Sequence, residues 1–132
     1  MTRFRIGALR WAGWLFLCSP AMAADTGSPD ADAAMLAFNN ACRTCHTLKE
    51  GDNRLGPSLQ AIIGRKAGSL PDFAYSSAMK DAGFVWDRDK LDRFIADPGS
   101  VVSGNRMKPF GGIAAPDVRA RIIAYLESAA GR

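Results

Sequence analysis

Histidine occurs once among the 132 residues and cysteine only three times. A structural zinc site wants four protein ligands; Cys42, Cys45 and His46 supply three, and the remaining Cys18 lies in the N-terminal stretch expected to be removed. No stretch alternates apolar and polar residues for long enough to be a strand. The strand–helix succession that houses thioredoxin-like Cys-x-x-Cys pairs is therefore missing as well. No apolar run approaches the ~20 residues of a spanning helix. The longest, Trp11 to Cys18, has eight residues, or fourteen if extended through Ser19 and Pro20 to Ala24. Glycine is frequent but unperiodic, and no segment repeats.

The N-terminus instead carries the pattern of an export signal. Arg3, Arg5 and Arg10 give the positive start, Trp11 to Cys18 the apolar run, Ser19-Pro20 the break, and Ala21-Met22-Ala23 a small-x-small cleavage site. Residues 1–23 are thus expected to be a secretory signal peptide and residues 24–132 a single domain, with the mature chain beginning near Ala24. An uncleaved membrane anchor is the competing reading, disfavoured by the shortness of the apolar run. Lipid attachment at Cys18 is disfavoured by Leu17 before it, where a small side chain is wanted. Three of the 17 basic residues and none of the 13 acidic ones lie in the signal, so the mature chain is nearly neutral at +1. Nothing in that balance suggests nucleic-acid binding. Export predicts a periplasmic protein with no stable membrane insertion after cleavage, in a compartment that oxidises unprotected thiols.

The two cysteines left after cleavage stand in Cys42-Arg43-Thr44-Cys45-His46. Cys-x-x-Cys-His is the attachment signature of a c-type haem. Two thiols three positions apart reach the two vinyl groups on one edge of the porphyrin and form thioethers. The next residue then offers an imidazole nitrogen to the iron. His46 is the only histidine available for that role, and with it committed no Ser/His/Asp hydrolytic set can be assembled. One covalent haem c is therefore expected.

Helical periodicity frames the motif. Ala31, Ala34, Met35, Phe38 and Ala41 form an amphipathic stripe on a helix from Pro29, with Ser28 as N-cap and Asp30 and Asp32 near its positive end. Met35 is assigned to core packing. Ser58 to Gly64 reads as a short helical turn and Arg65 to Asp72 as an extended loop. A short helix is expected over Ser76 to Asp81, with Met79 packing inward. Asp87 caps a helix bearing Leu91, Phe94 and Ile95, closed by Asp97-Pro98. Gly99 to Ala115 reads as a long loop, and a last helix from Pro116 buries Val118, Ile122, Tyr125 and Leu126. Such an all-α chain with long loops calls for a cofactor to fill the space the loops surround.

With no second histidine, a methionine is the available soft sixth ligand for haem iron. Met107 lies in a glycine- and proline-punctuated loop that can turn its side chain inward. Loop context alone leaves a ligand role and a gap-filling role equally open.

The order of motifs resembles the class I cytochromes c of mitochondria and purple bacteria over nearly the whole mature chain. The matching stretches are Phe38 with Cys42-x-x-Cys45-His46, Gly56-Pro57-x-Leu59, Gly64-Arg65-Lys66-Ala67-Gly68, Phe73-Ala74-Tyr75-Ser76, Trp86, Leu91-x-x-Phe94-Ile95-x-x-Pro98, Gly104-Asn105-Arg106-Met107 and Ile123-Ala124-Tyr125-Leu126. The resemblance implies an all-α cytochrome c fold in which the helix bearing Ala34 and Phe38 crosses the last helix near Ile122 and Tyr125. It implies His46 and Met107 as axial ligands. It also implies that the Pro57 carbonyl accepts from the His46 ring, and that Arg65, Tyr75 and Trp86 surround the haem propionates. Two positions depart from the common pattern: Phe94 replaces a tyrosine and Met79 an asparagine, both in the distal pocket.

The function so implied is one-electron carriage between respiratory or photosynthetic redox complexes, by a monomer that is not an enzyme and that docks on protein donors and acceptors. Arg43, Lys49, Arg106 and Lys108 are the basic residues expected around the haem edge. An open-site haem protein with ligand-binding or peroxidatic activity, and a dedicated subunit of one periplasmic oxidoreductase, are the rival readings.

Overall fold

The computed structural model describes residues 28–131, so the expected signal peptide and the start of the mature chain lie outside the described residues. These described residues form five helices, in order α1 (Pro29–Ala41), α2 (Ser77–Lys80), α3 (Arg88–Ala96), α4 (Pro98–Val101) and α5 (Pro116–Ala129). Among the described residues the only β pairing is one antiparallel bridge between Lys66 and Val85. No helix among them is long and apolar enough to cross a membrane.

Helix α1 packs across α5, and α3 packs on α5 from another side. Phe38 and Tyr125 meet where α1 and α5 cross, their ring centroids 5.2 Å apart and tilted by 45°. Ala34 and Phe38 are buried on α1, with Ala37 and Ala41 partly buried beside them. These four are spaced i, i+3, i+4, i+7, and the small alanines admit close approach of the partner helix. Met35 is not part of this face: it is 41 % exposed, and Ala31 is exposed with it. Each residue turns the helix by about 100°, so the inward direction set by Ala34, Ala37, Phe38 and Ala41 leaves Met35 on the flank.

Helix α5 serves two partners, so its buried face is wider than a single stripe. Ile122, Ile123, Leu126 and Ala129 are all buried, while Val118, in its first turn, is only partly covered. Arg88 pairs with Glu127, and Arg119 pairs with Asp92 at 2.8 Å, each tying the α3 side to α5.

Helix α3 starts where expected, the Asp87 carboxylate accepting from the Lys90 N–H at 2.7 Å. That bond and the Lys90 ammonium hold the Asp87 carboxyl below its ordinary range. Asp97 ends α3 and immediately caps α4, accepting from the Gly99 and Ser100 N–H groups at 3.0 and 3.3 Å. The first residues of the expected loop after Pro98 are therefore one further helical turn. The helical turn expected over Ser58 to Gly64 does not form. Ala61 takes φ +49° and Gly64 φ +85°, left-handed values that a right-handed helix cannot contain. That segment is instead held to the next one, Gly64 N–H donating to Trp86 O at 2.8 Å and Trp86 N–H to Arg65 O at 2.9 Å.

Candidate functional site

The loops enclose a cavity of about 390 Å³, lined mainly by apolar side chains from all parts of the chain between Ala41 and Leu126. Cys42, Cys45, His46, Pro57, Arg65, Tyr75, Trp86 and Met107, the residues singled out from the sequence, all line it.

On one wall, α1 delivers the Cys42–His46 segment. The Cys42 and His46 N–H groups turn back to Phe38 O at 2.8 Å and Cys42 O at 2.9 Å, so the motif continues as a turn from the helix end. Both cysteines are free, Cys42 buried and Cys45 partly covered. Burial, with the neighbouring Cys45 second, pushes the Cys42 thiol up to about 11. A redox-active Cys-x-x-Cys pair has the opposite character, a stabilised thiolate. Among the described residues no group of three or more His, Cys, Asp or Glu converges on a metal position.

The His46 ring is 6 % exposed, and its Nδ1 donates to the Pro57 carbonyl at 2.8 Å. Burial outweighs that bond and, with the Arg65 charge, lowers the ring's pKa. The imidazole is thereby kept neutral, with Nδ1 committed and Nε2 left for a metal, which is the state a ligating histidine needs. Gly56 packs flat against it: a Cβ at that position would overlap the imidazole. Sequence reading found Gly56 in a motif but gave it no role, since the contact exists only in three dimensions.

The segment after His46 is densely bonded. Gly56 N–H donates to Cys45 O at 2.8 Å and Leu59 N–H to Thr47 O at 2.8 Å. Thr47 Oγ1 donates to Asp52 O at 2.7 Å, and Ser58 Oγ to Lys49 O at 2.7 Å. The Asn53 side chain accepts from Ser58 N–H at 2.9 Å.

A polar corner is formed by Arg65 and Tyr75, with Trp86 close behind. The Arg65 guanidinium donates to Ser58 O at 2.8 Å and Gln60 O at 3.2 Å. Burial lowers its pKa, and burial raises that of Tyr75, with Arg65 opposing the latter shift. Trp86 is buried and meets Phe84 and Phe94 edge to face at 4.8 and 5.0 Å. Bidentate tethering of Arg65 by two carbonyls gives the cavity a positioned cation, suited to an acidic substituent that would otherwise be buried unpaired.

The same cavity is lined by Met107, partly buried in the loop between α4 and α5, and by Met79, buried in α2. Two thioethers thus line the cavity. Phe94 lines it too, so both departures from the common pattern lie in the cavity. Asn105 was matched in sequence without a role; it is buried and accepts from the Met107 N–H at 3.0 Å. Of the four basic residues expected at the rim, all are exposed, and Arg106 and Lys108 line the cavity directly.

The donor set fits a covalently held haem: paired thiols beside a neutral, oriented imidazole, two thioethers in the same cavity, a tethered cation, and apolar walls. Comparisons with known proteins agree. No protein-family model matches the chain. Cytochrome c2 iso-2 of Magnetospirillum fulvum is 42 % identical over 87 residues, covering 66 % of this chain and 90 % of that protein. Cytochrome c of Euglena viridis is 37 % identical over 99 residues, covering 75 % and 96 %. Among solved structures, cytochrome cH from Methylobacterium extorquens superimposes with a TM-score of 0.68 at 39 % identity, covering 75 % of this chain and 98 % of that one.

Proposed function

The chain belongs to the class I c-type cytochromes, with one covalent haem c as its cofactor, and we propose that it is a one-electron carrier acting in the periplasm between protein donors and acceptors. The haem supplies the one-electron iron couple. Cys42 and Cys45 would hold it by thioether bonds, and His46 and Met107 would be the side chains that ligate its iron. Pro57 orients the His46 ring, Arg65 would balance propionate charge, and Tyr75 and Trp86 would donate hydrogen bonds to it. Arg43, Lys49, Arg106 and Lys108 present positive charge to a partner docking at the haem edge. The signal peptide over residues 1–23 exports the precursor, leaving a soluble monomer.

One observation carries the reading: His46, with its Nδ1 fixed on Pro57 O at 2.8 Å, and Met107 line the same largely apolar cavity. With both ligands drawn from the chain itself, the iron would be held closed. No site remains for a substrate, which separates a carrier from a catalyst.

Oxidised and reduced absorption spectra, with the intact mass, test this on protein made in a host that attaches c-type haem. The expected result is a polypeptide starting near Ala24 plus one haem, low-spin spectra, the weak near-infrared sulfur-to-iron band, and slow carbon monoxide uptake. Rapid, tight carbon monoxide binding by the unmodified ferrous protein would overturn the carrier reading in favour of an open-site protein. A mass equal to bare polypeptide would overturn the covalent assignment to Cys42 and Cys45.

A further inference from the structure

We propose that Asn105 is the positioning residue for Met107, and that its side-chain amide sets how readily the sixth position opens to an outside ligand. This rests on the reading of Met107 as that ligand.

Asn105 is one of the few buried polar residues of the molecule, at 8 % exposure. Its Nδ2 donates to Val102 O at 2.9 Å and its main-chain N–H to the same carbonyl at 3.1 Å. Its Oδ1 accepts from the Met107 N–H at 3.0 Å. Val102 N–H in turn donates to Pro98 O at 3.0 Å, closing α4. A continuous chain of bonds therefore runs from α4 through the Asn105 amide to the backbone of Met107.

The chemistry of the two partners restricts the residue type. The Val102 carbonyl only accepts and the Met107 N–H only donates, so the bridging group must offer a donor to one and an acceptor to the other. A carboxamide does this in one orientation. Aspartate would set a carboxylate oxygen against the Val102 carbonyl, and leucine would satisfy neither partner.

Nothing else nearby replaces this tie. Beyond Met107, the Lys108 N–H bonds locally to Arg106 O at 2.8 Å. The next described hydrogen bond from the loop to another element is Ile113 N–H to Ile95 O at 2.8 Å. The left-handed turn at Gly104, φ +88°, lies just before Asn105, close enough that a Cβ there would come within 3.2 Å of Ala78 Cβ. The thioether is thus mounted on a segment whose nearest fixed point is the Asn105 amide.

The test uses holoprotein: wild type, Asn105→Leu, Asn105→Asp, and Ile123→Ala as a control destabilised away from the cavity. Imidazole uptake by the ferric form is followed together with the near-infrared band and the unfolding midpoint. Both Asn105 variants should take up imidazole at least about tenfold faster than wild type, the scale expected for leaving buried hydrogen-bonding groups unpaired. The band should weaken in both. Ile123→Ala should lose stability while keeping the wild-type band and uptake rate. Asn105 variants no faster than Ile123→Ala would overturn the proposal. Should neither variant retain haem, amide hydrogen exchange of wild type decides: the Met107 N–H should exchange much more slowly than that of Gly111, and equal rates would overturn the proposal. Absence of the band in wild type would instead remove the Met107 reading itself, a failure distinct from that of Asn105.

Discussion

The two walls of the cavity are built in opposite ways. From Cys42 to Arg65 the chain is bonded to itself at nearly every step: Gly56 to Cys45, Leu59 to Thr47, Thr47 to Asp52, Ser58 to Lys49, His46 to Pro57, Arg65 to Ser58. From Val102 to Ala115 the chain is fastened mainly at its ends. Asn105 holds one end. At the other, Ile113 bonds to Ile95, and Arg119 donates to Ile113 O and Ala114 O at 3.0 and 2.7 Å while pairing with Asp92. A rigid wall suits the side that carries covalent attachment and a histidine whose ring direction must not change. A wall hung from its ends would suit a ligand that can be displaced. The same iron would thus have one ligand defined by many bonds and one defined by few.

That contrast predicts that stability is lost most by damaging the bonded wall and its support. Trp86 N–H and C=O fasten this wall to the start of α3, and its ring fills the space between Phe84 and Phe94. Trp86→Ala should cost about 3–5 kcal/mol, the range for truncating a buried large aromatic. Chemical denaturation of the holoprotein measures it. A loss under about 1 kcal/mol, the scale of surface substitutions, would mean that the wall does not depend on this support.

Gly56→Ala is the next smaller insult and the more selective one. The added methyl group would overlap the His46 ring, so either the ring or the loop must shift. Overpacking of this kind costs about 1–3 kcal/mol. The ring's bond to Pro57 should weaken with it, which a shift in the resonances of the proximal imidazole would report. Wild-type stability and an unmoved ring would show that this wall is softer than its hydrogen bonds suggest.

How much of this was legible in the sequence follows the same division. Cys42, Cys45 and His46 could be read because covalent attachment demands fixed spacing along the chain, and spacing is what a sequence displays. The loop makes Met107 an open candidate that resemblance decides, Arg65, Tyr75 and Trp86 come from resemblance alone, and the structure brings all four to one cavity. Residues whose work depends on what folds against them were not legible. Gly56 matters because an imidazole lies on it, and Asn105 because Val102 and Met107 flank it. Met35 was misplaced because its apolar side chain fits a helical stripe, and only the position of α5 decides which edge of the stripe is covered. Helix α4 was read as loop because Pro98 and Gly99 look like breakers. In fact Pro98 begins the turn, where its missing N–H costs nothing, and Asp97 supplies the cap.

The smallest effects on stability belong to the two methionines, and they separate most sharply what each does. Met79 is buried in α2, whose start is fixed by the Ser76 side chain accepting from the Met79 N–H at 3.2 Å. Met107 is only partly buried, on the loop. Exchanging a methionine for leucine conserves volume, so the packing cost stays below about 1.5 kcal/mol. Met79→Leu and Met107→Leu should both stay folded with haem attached, Met107→Leu losing in addition the contribution of an iron–sulfur bond. Leucine cannot coordinate iron. If the loop brings the sixth ligand, Met107→Leu alone should abolish the near-infrared band, lower the reduction potential and admit carbon monoxide rapidly, because thioether ligation raises the potential. Met79→Leu should leave the band and the ligand exclusion as in wild type. The opposite outcome, with the band lost on substituting Met79, would place the ligand on a fixed helix and remove the contrast between the two walls. The expected pattern follows from Gly104 and Gly112, which flank Met107 at φ +88° and +99°, backbone values that glycine adopts without strain and that turn the loop over the cavity.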